Sequence, residues 1–540
     1  MPIHKNEPKR FTPRGLCDAF DSTDAFPGAC RVLSNLIFDQ SNPEIMVSRP
    51  GVGSPLTTFS SFTTPTYVSV FITLGTMVYG MVATARTAGY DEPFAYNLLT
   101  NTFVTISGVT SGNVPATQPT TGDWTPPTMA VVSTYIIVTH PGFSGAGANF
   151  FGAINISNPA SPAWTAQNLS THGLPSVPLA VANFNNRAYY ACGNASYYSD
   201  VLSPLVATNA GQAVTHGDTT PITGYAGLPI QTLSSGIYQS LTVFKQSQIW
   251  QIAGDAAVST NPLTNNYLSL TLGSNAPRSI VQSPIGVIFI AIDGPYYIDT
   301  FGVVRPLTKQ EKSQEQDVQA PFQNTTAATR MAAGFTGSLY RVCLPTTILG
   351  VAATNDYWFD MNRRRWTGPH SWPYDCIGAV SNYFVVSSIS AGAALYKSAI
   401  LPVVSSVYND NGTALTCTLQ TSTLPKDGRM AQRQVVESTI ELASYASQIY
   451  TVNALDDQQN LLNTTSISAL GVGKLWGSNV WGDGSVWAGS QNIPHVYNIP
   501  WTQPVVFQKM SIQVITTASA SSSIGTQFHR YEDTGYTNAG

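Results

Sequence analysis

The most constraining feature of this chain is an apolar strand that returns seven times between residues 71 and 386, usually with a turn and a second strand behind it. Asp293-Gly294 and Asn185-Asn186 are turn dipeptides of the kind that tolerates positive φ. A four-stranded propeller blade occupies roughly 40–50 residues, close to the spacing found here. The seven strands begin at Phe71, Val131, Val181, Leu241, Val287, Leu339 and Asn382.

This spacing predicts an all-β fold built around a β-propeller of six or seven irregular blades. Runs of β-branched and aromatic residues, broken by 43 Gly and 35 Pro, are typical of strands and turns. A pair of β-sandwiches would also repeat strands regularly and stays open as an alternative. The propeller is favoured because radial repetition leaves only short strand edges exposed.

Two flanking regions differ from the hairpin pattern. Residues 1–60 are irregular and indicate an extended N-terminal arm that packs on something else. Residues 61–400 hold the repeated hairpins and form the propeller-like domain. From residue 401 to 540 the strands lengthen and alternate, as at 434–443 and 505–515, which predicts a C-terminal β-sandwich domain.

The chain carries few charges for its size, and this indicates protein partners. Only 10% of its 540 residues are charged and the net charge is −4, whereas a quarter charged is usual. Charged residues are depleted in the cores of protein interfaces. We therefore expect an obligate homo-oligomer, although a secreted Ser/Thr-rich monomer would have a similar composition.

The six cysteines show neither metal-site nor disulfide-framework spacing. They stand at positions 17, 30, 192, 343, 376 and 417, without a C-x-x-C pair and without neighbouring histidines. We expect buried thiols in a protein made in a reducing cytoplasm, with pairing of Cys343 and Cys376 left open. The first ten residues lack the apolar core of a signal peptide, and no apolar run is long enough to predict membrane insertion.

No arrangement of residues in the sequence predicts catalysis. The seven histidines, at 4, 140, 172, 216, 370, 495 and 529, are isolated, and the common hydrolase and phosphate-loop motifs are missing. Asp456 and Asp457, or Glu437 and Glu441, are the candidates for a glycosidase pair. Glu437 and Glu441 share the solvated face of a predicted strand. We expect no enzyme, and no catalytic, cofactor-binding or metal-binding residues.

The one dense basic run is Arg363-Arg364-Arg365. This run could contact DNA or an acidic neighbouring protein. Alternatively, it could be a solvated turn between two strands. The second is favoured, because the other basic residues are spread thinly along the chain and form no stripe for nucleic acid.

Several segments, taken in order, resemble one known family. Ser48-Arg-Pro-Gly-Val follows a first strand at 30–38, and Tyr357-Trp-Phe-Asp precedes the arginine run and Trp366. Near the C-terminus, Trp476-Gly-Ser-Asn-Val-Trp-Gly and Trp487 precede a strand at 507–514. This order is similar to that of the tail nozzle proteins of short-tailed bacteriophages, also described as tail hub or packaged-DNA stabilisation proteins. Further similar segments lie at 42–45, 186–194, 198–201, 244–254 and 285–298.

The resemblance implies a structural virion protein of the viral tail. It implies a homohexameric ring that closes the DNA channel below the portal and adaptor rings and conducts genome ejection. Its partners would be further copies of itself, the adaptor and portal proteins, tail fibres or spikes, and duplex DNA passing transiently through the lumen.

The alternative function is a propeller-type tail protein that binds or hydrolyses glycans. A sialidase of this kind would need an arginine triad and Asp-box repeats. The nearest candidate, residues 479–487, lacks the Ser-x-Asp spacing of an Asp box.

Overall fold

The computed structural model is almost entirely β-structure, which confirms the predicted fold class. The structure describes residues 9–17, 26–84, 89–118, 124–232, 236–256, 262–308, 318, 320–323, 328–344, 355–402, 406–424, 431–444, 447–469, 494–518 and 520–536.

The N-terminal segment contributes short strands to sheets that are completed by distant parts of the chain. Strand β5 pairs with the last strand of the chain, and β3 pairs with two strands more than 300 residues away. The strands of this segment are β1 (Lys9–Phe11), β2 (Gly15–Leu16), β3 (Ala29–Ser34), β4 (Leu36–Phe38), β5 (Met46–Ser48) and β6 (Thr57–Thr58).

Five four-stranded antiparallel blades follow in sequence. The first two are β7 (Pro65–Leu74), β8 (Met77–Thr84), β9 (Tyr90–Asn97) and β10 (Thr102–Val104), then β11 (Thr128–Val132), β12 (Tyr135–Thr139), β13 (Phe151–Asn155) and β14 (Ala163–Gln167). Before the third blade lies β15 (Ser170–Thr171), which pairs with β19 (Val206–Ala207). The third blade consists of β16 (Val181–Phe184), β17 (Arg187–Cys192), β18 (Ala195–Tyr198) and β20 (Ala213–Thr215).

The fourth blade begins with two long strands, and a short helical turn separates it from the fifth blade. The fourth consists of β21 (Ile222–Thr232), β22 (Gly236–Lys245), β23 (Ile249–Ala253) and β24 (Thr264–Ser269). A 3₁₀ turn, Pro277–Ser279, leads into the fifth. The fifth consists of β25 (Val281–Ser283), β26 (Gly286–Ala291), β27 (Gly294–Ile298) and β28 (Val304–Pro306).

Two further four-stranded units complete the ring. A short helix α1 (Ala320–Gln323) and a 3₁₀ turn (Ala328–Arg330) precede the first of them. We call this unit, β29 to β32, the fused blade, because its strands belong to a larger sheet. The closing blade pairs its last strand with β6, so an N-terminal strand completes it. These strands are β29 (Ala332–Thr336), β30 (Leu339–Leu344), β31 (Asn355–Asp360) and β32 (Arg365–His370), then β33 (Cys376–Val380), β34 (Tyr383–Ser387) and β35 (Ala394–Ala399).

The units form a closed ring around an axis. The first strand of each unit contacts the first strand of the next, and the last of these strands contacts the first. In order, these strands are β7, β11, β16, β21, β25, β29 and β33. Six of the units are self-contained four-stranded sheets and the seventh is the fused blade. The prediction of a propeller with six or seven irregular blades is therefore confirmed.

Separate apolar cores lie between neighbouring blades. Tyr79 of the first blade packs with Ile136 of the second, and Phe244 of the fourth packs with Phe289 of the fifth. The two phenylalanine rings are 5.1 Å apart. Each fully buried side chain of this kind contributes roughly 1.5–3 kcal/mol. Blade-to-blade packing therefore holds the ring together.

The predicted C-terminal β-sandwich is not confirmed as a separate unit. The strands of this region divide between two sheets, and both sheets also contain N-terminal strands. One of them continues through β3 and β2 into the fused blade. The strands are β36 (Asn409–Asp410), β37 (Thr413–Thr421), β38 (Ala431–Ser444), β39 (Gln448–Asp456), β40 (Leu461–Ala469), β41 (His495–Asn498), β42 (Val506–Phe507), β43 (Met510–Ala518) and β44 (Ser522–Tyr536).

A buried polar cluster, which we call the terminal joint, connects these regions. It consists of Asn35, Arg49, Ser371 and Asp410. Arg49 donates to Asn35 Oδ1 at 2.9 Å and forms an ion pair with Asp410, and both charged side chains are buried. Ser371 donates its backbone N–H to Asn35 at 2.9 Å and its hydroxyl to Asp410 at 2.7 Å. The joint therefore ties the N-terminal segment to the end of the fused blade and to β36.

Candidate functional site

A cavity of about 290 Å³ lies at the end of the propeller axis where the first strands of the blades begin. Most of its lining residues stand just before, or at the start of, the first strands of five successive units. None of the described lining residues is charged. They are Thr125, Pro126, Leu179, Pro221, Ile222, Thr223, Gln246, Asn275, Pro277 and Thr329.

Next to this lining lies a group of charged and aromatic side chains, which we call the axial cluster. It consists of Trp124, Arg278, Arg330 and Asp375. The guanidinium carbon of Arg278 is 4.5 Å from the centre of the Trp124 ring, and that of Arg330 is 5.9 Å from it. Arg330 Nη2 is 3.2 Å from Asp375 Oδ1. The turns before four different first strands therefore bring these side chains together on the axis.

Arg278 is held by the turn in which it lies. Pro277 begins the 3₁₀ turn, and the Ser279 hydroxyl donates to the Ala276 carbonyl at 2.7 Å. Arg278 Nη1 then donates to the Ser69 carbonyl at 3.2 Å and lies 3.5 Å from Cys376 Sγ. The side chain thereby crosses from the fifth blade to the first and closing blades.

Burial changes the ionisation of two groups near the cluster, Tyr67 and Cys376. Burial, with Asp91 nearby, raises the pKa of Tyr67 far above the physiological range. Burial also raises the pKa of the Cys376 thiol to about 11, against the opposing effect of Arg278. The second carboxylate oxygen of Asp375 accepts the backbone N–H of Ile389 at 2.8 Å. The cluster can therefore bind and orient a charged group, and the Cys376 thiol beside it stays protonated at neutral pH.

The buried histidines are structural. His140 contacts Asp91 at 2.9 Å and accepts the Gly142 N–H, so both of its ring nitrogens are occupied. His216 contacts Ser196 Oγ at 2.8 Å and Asn265 Oδ1 at 2.9 Å. This is the order of a Ser–His–Asn triad, but Ser196 is fully buried and its hydroxyl also contacts Tyr225. Such a serine is closed to a substrate.

His370 and His529 are equally enclosed. His370 accepts the Asn35 N–H at 3.0 Å, and His529 contacts Ser438 and Gln527. Burial lowers the pKa of His370 well below its ordinary value and lowers those of His216 and His529 to about 4. These rings are therefore neutral at neutral pH.

The acidic candidates from the sequence lie in the C-terminal strands, away from the axial cluster. Glu437 is exposed and 3.8 Å from Arg530, and Glu441 accepts the Thr526 N–H at 3.0 Å. Asp456 closes a turn by accepting both the backbone and side-chain N–H of Asn460, and these hydrogen bonds lower its pKa. Glu437, Glu441 and Asp456 therefore each have a local structural partner, and Asp457 follows Asp456 directly after β39.

The arginine run lies in the turn between β31 and β32 of the fused blade. Arg363 pairs with Asp360 at 3.0 Å and donates to the Asp39 carbonyl at 2.6 Å. Arg365 lies over the Phe26 ring at 4.0 Å. The run therefore lies at a turn between strands, as the preferred interpretation has it. Two of its side chains, Arg363 and Arg365, also contact the N-terminal segment.

The cysteines Cys192, Cys343, Cys376 and Cys417 are buried free thiols, and Cys17 and Cys30 are buried as well. Cys343 and Cys376 do not pair: Cys343 Sγ accepts the Tyr374 N–H at 3.2 Å, while Cys376 Sγ donates to first-blade carbonyls.

Within the described residues, no group of three or more His, Cys, Asp or Glu could hold a metal ion. No helix in the described part of the chain is long and apolar enough to cross a membrane.

Three features singled out in the sequence lie outside the described residues. These are His4, the tryptophan-rich segment that begins at Trp476, and the Asp-box candidate at 479–487.

Sequence reasoning missed the buried ion pairs. Arg341 and Asp356 are both fully buried and 2.6 Å apart, and Asp356 also accepts from Trp358 at 2.7 Å and Tyr374 at 3.1 Å. A usable signal existed, because Arg341 interrupts the apolar run at 339–344. A cation inside a buried strand requires a buried partner.

The comparisons with known proteins are distant. No protein-family profile matches the chain, and no curated protein matches its sequence. Similar solved structures include a puromycin hydrolase, 9% identical over 68% of this chain and 61% of its own, with a TM-score of 0.37. The computationally designed Ika8 protein is 12% identical over 64% of this chain and all of its own, with a TM-score of 0.33.

A glycoside hydrolase family 43 arabinoxylan arabinofuranohydrolase from Bacillus subtilis covers more of the chain. It is 10% identical over 90% of this chain and 99% of its own, with a TM-score of 0.20. At such identities and TM-scores these likenesses carry no functional argument.

Proposed function

We propose that this protein is a non-enzymatic structural component of a virion, the ring-forming tail nozzle of a short-tailed bacteriophage. Six copies would close the DNA channel below the portal and adaptor rings and conduct the genome during ejection.

The terminal joint is the observation that carries this proposal. Two of the segments that resemble nozzle proteins, 30–38 and 48–52, supply Asn35 and Arg49 to it. Between Arg49 and β6 the chain also runs very close to β36, since a Cβ at Gly51 would lie 2.0 Å from the Asn409 carbonyl oxygen. Two of the segments behind the resemblance therefore share one structural task, which supports common architecture over chance similarity.

An apolar area on the outer edge of the propeller supports assembly with other protein. Tyr267 is 63% exposed and Leu270 53% exposed at the outer edge of the fourth blade. Phe301 is 59% exposed in the fifth blade, and a Cβ at the next residue, Gly302, would contact Leu268. Adjacent exposed apolar side chains of this kind mark protein contacts. The low overall charge of the chain agrees with such contacts.

The axial cavity gives no support to the glycoside-hydrolysing alternative. Glycoside hydrolysis generally requires two carboxyl groups on opposite sides of the scissile bond. The described residues that line this cavity are uncharged, and the nearby Asp375 is engaged by Arg330 and Ile389.

Electron microscopy of the purified protein, combined with DNA binding, tests the role. We expect rings with an open axial lumen, and no tight binding of duplex DNA at physiological salt. Six copies carry six times −4, or −24, formal charges, and a channel lined by cations would retain phosphates and slow transit. Tight duplex binding would contradict the conduit role and favour a DNA-gripping one. Release of reducing sugar from surface polysaccharides would favour the glycosidase alternative.

A further inference from the structure

We propose that the axial cluster is a binding site for a compact oxyanion, a carboxylate or phosphate group. The anion would be held by one edge of the Arg278 guanidinium and by the indole N–H of Trp124. This site is independent of the proposed tail role, and either can fail without the other.

The free edge of Arg278 is the first reason. Its Nη1 is used by the Ser69 carbonyl. Its Nε and Nη2 are buried and have no hydrogen-bond partner among the described residues. These two nitrogens form the side of the guanidinium whose parallel N–H groups match the two oxygens of a carboxylate or phosphate.

Trp124 supplies an independent third donor. Its side chain is 3% exposed, it packs beneath the Arg278 guanidinium, and its Nε1 has no partner among the described residues. Buried N–H groups nearly always find an acceptor, because leaving them without one is unfavourable. All three groups are donors, so the ligand that satisfies them must be an acceptor.

The local charge favours an anion over a neutral acceptor. Two guanidinium groups, Arg278 and Arg330, stack on the same indole ring. Asp375 pairs with Arg330, whereas Arg278 takes part in no ion pair with a described residue. Arg278 is half-buried, and a half-buried cation without a counter-ion attracts negative charge.

The space beside Arg278 suits a small ligand. A cavity of about 50 Å³ is lined by Arg278, Asp375 and Cys376, together with apolar residues of the first strands. One buried water needs only about 10–15 Å³ of such volume. The larger axial cavity is lined by Thr125, Pro277 and Thr329, the sequence neighbours of Trp124, Arg278 and Arg330. The axial cluster therefore adjoins the larger cavity.

Calorimetric titration of the full chain with inorganic phosphate and with acetate, against chloride at equal ionic strength, tests the proposal. We expect saturable binding of at least one oxyanion to the wild type, and the stronger of the two identifies the preferred group. Arg278→Gln should weaken it by about tenfold or more, because it removes the charge-assisted hydrogen bonds. Arg278→Lys should weaken it as well, because a lysine keeps the charge but loses the paired donors.

Two variants keep the result interpretable. Trp124→Phe retains the ring and removes only the N–H, so it should reduce affinity without unfolding the chain. Arg305→Gln removes a charge from an exposed arginine paired with Asp299, and it should leave binding unchanged. Absence of saturable binding to the wild type would overturn the proposal and leave ordered water as the acceptor. If Arg305→Gln weakens anion binding as much as Arg278→Gln does, the binding comes from nonspecific attraction to positive charge, and the proposed site is wrong.

Discussion

The fused blade and the terminal joint both bury an arginine–aspartate pair, but they build it from opposite kinds of sequence relationship. Arg341 and Asp356 lie 15 residues apart on neighbouring strands. Arg49 and Asp410 lie 361 residues apart. The first pair joins two neighbouring strands of one blade, whereas the second joins the N-terminal segment to β36. Most blades are therefore built from strands that lie close together in sequence, whereas the closing blade and the attached sheets depend on contacts between distant residues.

The largest effect is expected from removing one partner of either pair. Asp410→Ala and Asp356→Ala should each lower the free energy of unfolding by about 3–5 kcal/mol, because each leaves a buried arginine without its counter-ion. Hydrogen exchange should separate them. Asp410→Ala should expose amides of β3, β5 and β37 while the blades stay protected, and Asp356→Ala should expose the fused blade. Identical exchange patterns would contradict the distinction between local blades and a distant joint.

A matched surface pair provides the control for both substitutions. Arg10 and Glu44 are 2.6 Å apart, but both side chains are about half exposed. Glu44→Ala should therefore change the free energy of unfolding by no more than about 1 kcal/mol. A loss as large as that of Asp410→Ala would show that burial is not what distinguishes the joint.

Acid should destabilise the propeller through buried His216 and the C-terminal sheet through buried His529. His216 joins the third and fourth blades and His529 lies in β44, and each has a pKa of about 4 in the folded protein against about 6.5 when unfolded. Because the folded pKa is the lower one, stability is complete above pH 6.5 and falls as the pH drops toward 4, by up to about 3 kcal/mol per histidine. Unfolding titrations should show this slope, and His216→Gln and His529→Gln should each flatten it. An unchanged slope in both variants would contradict burial as the cause.

A smaller effect is expected from close backbone packing at the joint. Gly51→Ala should cost about 1–3 kcal/mol, because its Cβ would overlap the Asn409 carbonyl. Gly112→Ala is the matched substitution in the propeller, since a Cβ there meets nothing within 4 Å. It should be neutral or slightly stabilising. Thermal unfolding of the two variants checks this, and equal values would remove the packing argument.

The smallest effect is expected from the cysteines. Burial raises the pKa of Cys192 to about 11 and of Cys417 to about 12, so both thiols stay protonated and unreactive at neutral pH. Adding a reductant should leave the melting temperature of the protein unchanged. A large decrease would reveal a disulfide that contributes to stability.

The sequence predicted the local part of this fold well. All seven hairpin signals fall in the seven four-stranded units of the ring. Phe71, Val131 and Val181 mark the first strand of their blades, whereas Leu241, Val287 and the later signals mark the second. Apart from β6 of the closing blade, the strands of each blade lie close together in sequence, so alternation and turn residues report on them directly.

The distant contacts could not be predicted in the same way. Strands from 409 to 536 do alternate, but nothing in their pattern shows that β3 and β5 join them. The axial cluster is similar, because Trp124, Arg278 and Arg330 come from three separate turns with no shared motif. Ring closure alone brings those turns together. Arg341 is the exception, since a cation within an apolar strand signals a buried partner.

The molar mass of the purified protein in solution tests the central claim most directly. A nozzle subunit should assemble with copies of itself, so light scattering at micromolar concentration should give about six times the chain mass of 57.7 kDa. A single species at the mass of one chain would contradict the ring, and with it the proposal that this propeller is a structural component of a viral tail.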